Sequence, residues 1–306
     1  MTRCTSWMNS TNWQGSVPGV DPIEARKTWR TLEPLHGMVY FAPEADSAFA
    51  AIGLEGQRMG YFASRSAAMG AVPAEVVIAT FFNFCPSLVH AVIPAAWAAA
   101  DPASIVEARL SAVDGALTRV LGDGALGGSE MAEAAQLARR AAEAACEHPE
   151  GRPLFAGHAS LDWPDEPHLV LWHAQTLLRE FRGDGHVGAL MLEGLSGIEA
   201  LVVHGATGEV PPSVLQASRG WSHGEWAEAV EGLRSRGLIG PGDTPPLTDA
   251  GREHRQWVED RTDQRAVVAY QALGEDGCQR LRSLGRAFSR AVVDSGVLAM
   301  DRPGRG

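Results

Sequence analysis

Helical periodicity recurs along nearly the whole chain, and the strict polar–apolar alternation of a surface strand is nearly absent. A chain patterned this way can bury its apolar residues only by packing helix on helix. The pattern predicts helices over 22–42, 45–55, 73–84, 86–99, 102–121, 129–147, 167–182, 186–194, 196–206, 211–219, 222–236, 248–268 and 274–294. Asp101-Pro102 places a proline at a first helical position, and Ser129-Glu130 puts acid into a first turn. The main breaks are GDGALGG at 122–128 and HPEGRPLFAGHASLDWPDEP at 148–167. The second break divides the chain into a helical N-terminal domain over 22–150 and a C-terminal domain over 165–296. Composition predicts flexible ends at 1–21 and 297–306.

Charge narrows the partners. The 306 residues carry 26 basic and 37 acidic side chains, a formal net charge of −11, and Lys27 is the sole lysine. Such a chain repels nucleic acid and anionic membranes unless a local basic patch overrides the balance. Cys4, Cys85, Cys146 and Cys278 show no metal-binding spacing and read as free thiols of a cytoplasmic protein. The first twenty residues lack the apolar stretch of a secretory signal. The 24 residues from Val76 to Ala99 are uncharged and of membrane length. Pro86, Pro94, Asn83 and His90 interrupt them, so two short buried helices are expected rather than a span.

The C-terminal half has a recognisable order of elements. Ser222-His223-Gly224-Glu225 is a capping box, and the helix it opens sets Trp226, Val230 and Leu233 on one face before closing at RSRGLI. GPGDTPP follows, then LTDAGREHRQWVEDRTDQRA and a last helix over 274–294. This order, above all L-T-D-A-G after R-G-L-I, resembles the MarR-type winged-helix regulators over 168–294. The resemblance implies a short β-hairpin wing and terminal helices that make a dimer. Leu281, Leu284, Phe288 and Val292 form a stripe suited to such a contact or to packing within one chain. The whole chain also resembles an actinobacterial family labelled helix–turn–helix, through RMGYFASRSAAMGAVPAE and LWHAQTLLREFRGDGH; that similarity supplies no activity. The expected fold is mostly α, with the helical N-terminal domain packed on a winged helix–turn–helix domain.

A recognition helix should offer basic or amide side chains to base edges. Here the outward face of 222–236 carries Glu225, Glu228 and Glu231, and the wing carries Asp243 and no arginine. Residues 209–260 hold nine acids against five arginines. Phosphate contacts need cations, so DNA reading is not favoured.

Binding residues are sought between the two domains. Within LWHAQTLLREFRGDGHVGAL, His173, Thr176 and Glu180 share a stripe beside Trp172, between the apolar arc and an arc of Gln175, Arg179 and Arg182 expected to be solvated or ion-paired. The stripe is either an interhelical hydrogen-bond set, with Glu180 holding an arginine, or one wall of a ligand pocket. Gly183-Asp184-Gly185-His186 is expected to stop one helix and cap the next. Tyr40 and His36, four apart, face the same way, and Arg65 beside Tyr61 and Phe62 suits an aromatic, anionic ligand or an ion pair within a loop. Asn83 and His90 complete the candidate set, His90 alternatively as a core histidine. His173, Asp184, His186 and His204 lack any metal or haem signature, and no motif indicates a cofactor. Catalytic templates are absent; His173, Glu180 and His36 are the acid–base candidates. The expected function is binding of a small apolar or aromatic ligand, with an anion admitted, by a regulator or regulator-derived protein. The alternative is an enzyme of specialised metabolism using the same cleft.

Overall fold

The structure, a computed structural model, describes residues 19–298. The stretches 1–18 and 299–306, which hold most of the predicted flexible ends, lie outside the described residues, while Val20 and Val297 beside them are buried. The chain opens with α1 (Pro22–Gly37), α2 (Pro43–Ala51), α3 (Gln57–Ser66), α4 (Ala74–Phe81), α5 (Pro86–His90) and α6 (Ile93–Ala99). It continues with α7 (Pro102–Leu121), α8 (Asp123–Leu126), α9 (Ser129–Ala145), α10 (Pro153–Ala159) and α11 (Pro167–Leu192). It ends with α12 (Gly197–Gly205), α13 (Pro212–Arg219), α14 (His223–Ser235), α15 (Asp249–Gln271) and α16 (Gly274–Asp294). The all-helical expectation holds, but the β-hairpin wing does not. Between α14 and α15 a single antiparallel bridge, Ile239 with Leu247, is flanked by hydrogen bonds from Gly240 N to Pro246 O (2.8 Å) and Thr248 N to Leu238 O (3.1 Å). Pro241, Pro245 and Pro246 have no amide hydrogen to extend a ladder, so no strand forms among the described residues.

Two hydrophobic cores share the long helices α11 and α15. The larger gathers α1, α2, α7, α9, α11 and α16. Its tightest seam is α9 on α11, where Ala134, Ala135, Ala138, Ala141, Ala142 and Ala145 are buried and let the two backbones close up. The smaller core holds Ala189, Leu190, Val202, Val203, Leu233, Ile239, Leu247 and Val258, and so packs α12–α14 onto the ends of α11 and α15. Capping boxes at Ser196–Glu199 and Ser222–Glu225 start α12 and α14. Gly220, left-handed at φ 76°, makes the turn from α13 to α14.

Three local expectations are corrected. The Gly183-Asp184-Gly185 stretch does not break a helix, because α11 runs through it. Asp184 turns inward and accepts from the amide of Phe155 (3.0 Å), at the start of α10. An ideal Cβ on Gly185 would lie at ordinary contact distance from the Arg152 guanidinium (3.7 Å) and Arg265 (3.8 Å), so nothing at this position demands a glycine. Residues 57–66 and 153–159, read as loop, are short helices; Gly60 lets α3 close onto Phe49 of α2. The uncharged run 76–99 bends at Phe82, and among the described residues no single helix is long and apolar enough to cross a membrane.

Leu281, Leu284, Phe288 and Val292 are buried within the chain, on the face of α16 that packs on α1. Gly285 sits in that seam, where a Cβ would strike the fully buried Leu32. Gly285→Ala should therefore cost about 1–3 kcal/mol through overpacking. Gly188→Ala, with open space around its Cβ position on α11, should gain up to about 1 kcal/mol. Urea unfolding of both variants checks this; equal and positive effects would mean that α1 and α16 are not in close contact.

Candidate ligand-binding site

Helix α11 is the axis of the site. Surrounded by α1, α7, α9, α10 and α15, it has almost no face left for water. Of the arc expected to be solvated or ion-paired, both arginines are ion-paired and Gln175 is buried. Gln175 and Arg182 are buried, Arg182 against Asp263 (2.6 Å), and Arg179 bridges Glu33 of α1 (2.9 Å) and Glu180 (3.0 Å). Glu180, 3% exposed, also takes two 3.0 Å hydrogen bonds from Nη2 of Arg65 on α3. The two arginines outweigh the burial that would raise its pKa and hold the Glu180 carboxyl at about 2.

Around this ion pair the chain collects aromatic rings. Arg65 Nη1 donates to the Tyr61 hydroxyl (2.8 Å), and its guanidinium lies 4.4 Å from the Phe81 ring centre. Tyr40 has the guanidinium carbons of Arg65, Arg109 and Arg179 within 5.9, 5.8 and 5.6 Å of its ring centre. Arg109, 3% exposed on α7, has no carboxylate partner among the described residues; it donates to Ser64 O (2.8 Å) and the Tyr40 hydroxyl (3.3 Å) and lies over Trp172. His36 stacks on Trp172 at 5.5 Å and meets Tyr40 edge-on at 5.6 Å. His158 Nε2 lies 3.1 Å from the Arg65 carbonyl, which can only accept, so that nitrogen carries the proton.

The cluster is electrostatically unbalanced. Three guanidiniums, with Arg219 a fourth beyond Phe84, face Glu180 and Glu33. Burial would raise the Tyr61 pKa, yet Arg65, Arg179 and Arg219 bring it below its usual value, which reports positive potential. Burial, and then the neighbouring arginines, push His36 well below its usual range. Both nitrogens of His36, Nε of Arg65, Arg109 and Arg219, and Oε2 of Glu33 are buried with no hydrogen-bond partner among the described residues. Buried polar groups are ordinarily satisfied, so this is a concentration of unspent donors with an acceptor among them. Tyr40, Tyr61, Arg179 and Glu33 are half-buried and bring the cluster to the surface. A depression of about 540 Å³ between α2 and α7 offers no comparable charge; Glu44, the charged residue in its lining, pairs with Arg119.

Of the residues singled out in the sequence, His36, Tyr40, Arg65, Trp172 and Glu180 come together here. Thr176 spends its hydroxyl on Trp172 O (3.1 Å), and His173 turns toward Trp163 (4.8 Å), at the edge of the cluster. His90 is exposed at the end of α5, neither a core histidine nor part of the cluster. The carbonyl of Asn83 accepts from Trp221 Nε1 (2.9 Å), at the turn between α13 and α14. Arg109 was missed, although an arginine at 109 among the buried Ile105, Ala108, Ala112 and Ala116 stands on an apolar helix face and could have been noticed. His158 was hidden in a segment read as loop.

The outward face of α14 exposes Glu225, Glu228 and Glu231. Nearby arginines are engaged within the chain: Arg234 with Glu231 and the carbonyls of Gly240 and Gly242, Arg236 with Glu199 and Gly194 O, Arg252 with Asp249. Residues 25–299 match the helix-turn-helix family, and the chain belongs to that family. No curated protein and no solved structure matches the chain.

The buried rings make the fold acid-sensitive. Burial depresses His158 to about 3 and His173 to about 4, and His36 lies well below 6.5. The stability contributed by the neutral rings is present above pH 6.5 and lost as the pH falls through the folded-state values. Asp184 opposes this: burial raises it from 3.8 to about 7, so its contribution is present below 3.8 and lost as pH rises through 7. With His186, likewise depressed to about 4 by burial, four rings against one carboxyl predict that unfolding at pH ~5 takes up about three protons, so that the urea midpoint falls between pH 6.5 and ~4.5. His158→Gln should remove about one proton from that uptake; a flat profile would show that the rings are hydrated in the folded chain.

Proposed function

We propose that this helix–turn–helix protein binds a small aromatic or apolar anion at the arginine–aromatic cluster. The observation that carries the reading is the buried Arg109, which among the described residues has no carboxylate partner and shares the Tyr40 and Trp172 rings with His36, whose nitrogens have no hydrogen-bond partner there, in a protein of net charge −11. A carboxylate or phenolate entering past Tyr61 and Arg179 would meet guanidinium donors while its ring lay among Tyr40, Tyr61 and Trp172. An unpartnered acceptor, Glu33 Oε2, suits a hydroxyl on the same ligand. Catalysis is less well supported, because Glu180 is saturated by two arginines and His173 faces Trp163.

The test compares 2-naphthoate with uncharged 2-naphthamide by calorimetry. The acid should bind and the amide should not, and Arg109→Gln should weaken the acid about tenfold or more, about 1.4 kcal/mol. Equal binding of both probes, or an unaffected Arg109→Gln, would remove the anion site.

We propose that α12–α14 form the helix–turn–helix unit, the output or scaffold of the binding protein, with a degenerate DNA-reading face. With Glu225, Glu228 and Glu231 exposed and the adjacent arginines engaged internally, few cations remain for phosphate. Random duplex DNA should not be shifted at physiological salt in an electrophoretic assay. Submicromolar, salt-sensitive retardation would overturn that reading.

A further inference from the structure

One short stretch, Phe81–Cys85, touches both the arginine cluster and the helix–turn–helix unit. At its first residue the Phe81 ring lies under the Arg65 guanidinium. Phe84 packs against Tyr61 (5.7 Å) and Phe62 (4.8 Å), and Arg219, the last residue of α13, lies over its other neighbourhood at 5.0 Å. Toward the helix–turn–helix unit, the Phe82 carbonyl fills the space in front of Gly197, the first residue of α12, so that no Cβ could stand there. Asn83 O accepts from Trp221 Nε1 (2.9 Å), and Cys85 N donates to Arg219 O (2.9 Å). Leu88 sits against the left-handed Gly220.

The stretch is also strained. Phe82, at φ 55° and ψ −53°, is the one non-glycine residue with positive φ among the described residues. Asn83 N donates to Phe81 O (2.6 Å), which closes a γ-turn of the rare positive-φ kind around Phe82. A bulky residue keeps such a conformation only where its surroundings over-determine it, and these surroundings are the cluster on one side and α12–α14 on the other.

We infer that the Phe82 γ-turn is the lever through which the state of the arginine cluster sets the seating of the α13–α14 turn. This rests on the binding reading above. With Arg65 held by Glu180 the guanidinium pins Phe81, the γ-turn stays closed, and α12 and Trp221 are docked. An anion that draws Arg65 away unpins Phe81; the turn relaxes to ordinary backbone and releases the contacts at Asn83 and Cys85. The two states differ in named contacts at both ends, as coupling between sites requires.

The test perturbs the cluster by substitution, so it does not depend on finding a ligand. The protein, which has nine tryptophans, is labelled with 5-fluorotryptophan, and the Trp221 fluorine line is assigned through Trp221→Phe. The double variant Arg65→Gln/Glu180→Gln removes both charges together and leaves neither of that pair orphaned. Its Trp221 line should shift or split, and the Cys85 amide should exchange at least about tenfold faster with solvent. If the Trp172 line moves while the Trp221 line and Cys85 exchange stay unchanged, the coupling is overturned. Should that variant fail to fold, Phe81→Leu, which removes the ring under Arg65 and keeps an apolar residue, is read by the same two signals with the same outcomes. In a Phe82→Gly background, where the turn carries no strain, the Trp221 line should stop responding; an undiminished response would overturn the lever role of this turn. Failure of naphthoate to bind sinks the ligand class and not this coupling, whereas an unmoved Trp221 sinks the coupling alone.

Discussion

Glu180 is a carboxylate placed near the middle of a 26-residue helix that other helices enclose. Leaving it charged there is costly, and removing one partner of a buried ion pair typically costs about 3–5 kcal/mol. Arg65 from α3 and Arg179, itself tied to Glu33 of α1, meet that requirement. Two helices distant in sequence, α1 and α3, are thereby held in register against α11. The aromatic residues follow from the same constraint, since Tyr40, Tyr61, Phe81 and Trp172 surround the guanidiniums with rings. Arg109 is the member this logic does not explain, because its buried guanidinium has a carbonyl and a hydroxyl as hydrogen-bond partners and rings beside it, with no carboxylate among the described residues to offset the cost of burying its charge.

A second ionic layer organises the far side of α11. Arg182 and Arg26 converge on Asp263 and Glu259 of α15, which ties α1, α11 and α15 together at the border of the two cores. The segment α12–α14 is mounted on this border through α11 and α15, and it meets the N-terminal helices at the segment after α4. Its geometry is ordinary at the caps and turn. The exposed face of α14 is acidic, and the neighbouring arginines bind glutamates, an aspartate and carbonyls of the same chain.

Much of the helical framework was legible in the residues. Asp101-Pro102, Glu130 in a first turn and the Ser222 capping box act within a few residues of themselves, and local signals of this kind survive any tertiary context. The apolar stripe of α16 was equally plain, but α1 fills it, and no periodicity says which surface a stripe will meet. The wing was expected from the order of elements alone. Three prolines around it argued against a ladder, and the backbone followed the prolines.

Sequence by itself thus determined that the chain is helical, where most helices begin and end, and that Glu180, Arg65, His36 and Tyr40 carry chemistry worth watching. Tertiary structure alone decided which arginine Glu180 would hold, that Gly183-Asp184-Gly185 would stay helical, and that Arg109 and His158 would join the cluster. The physical reason is range. Caps and proline stops are settled by hydrogen bonds within one turn, whereas the pairing of a buried charge depends on residues about a hundred positions away that only packing brings within 3.0 Å.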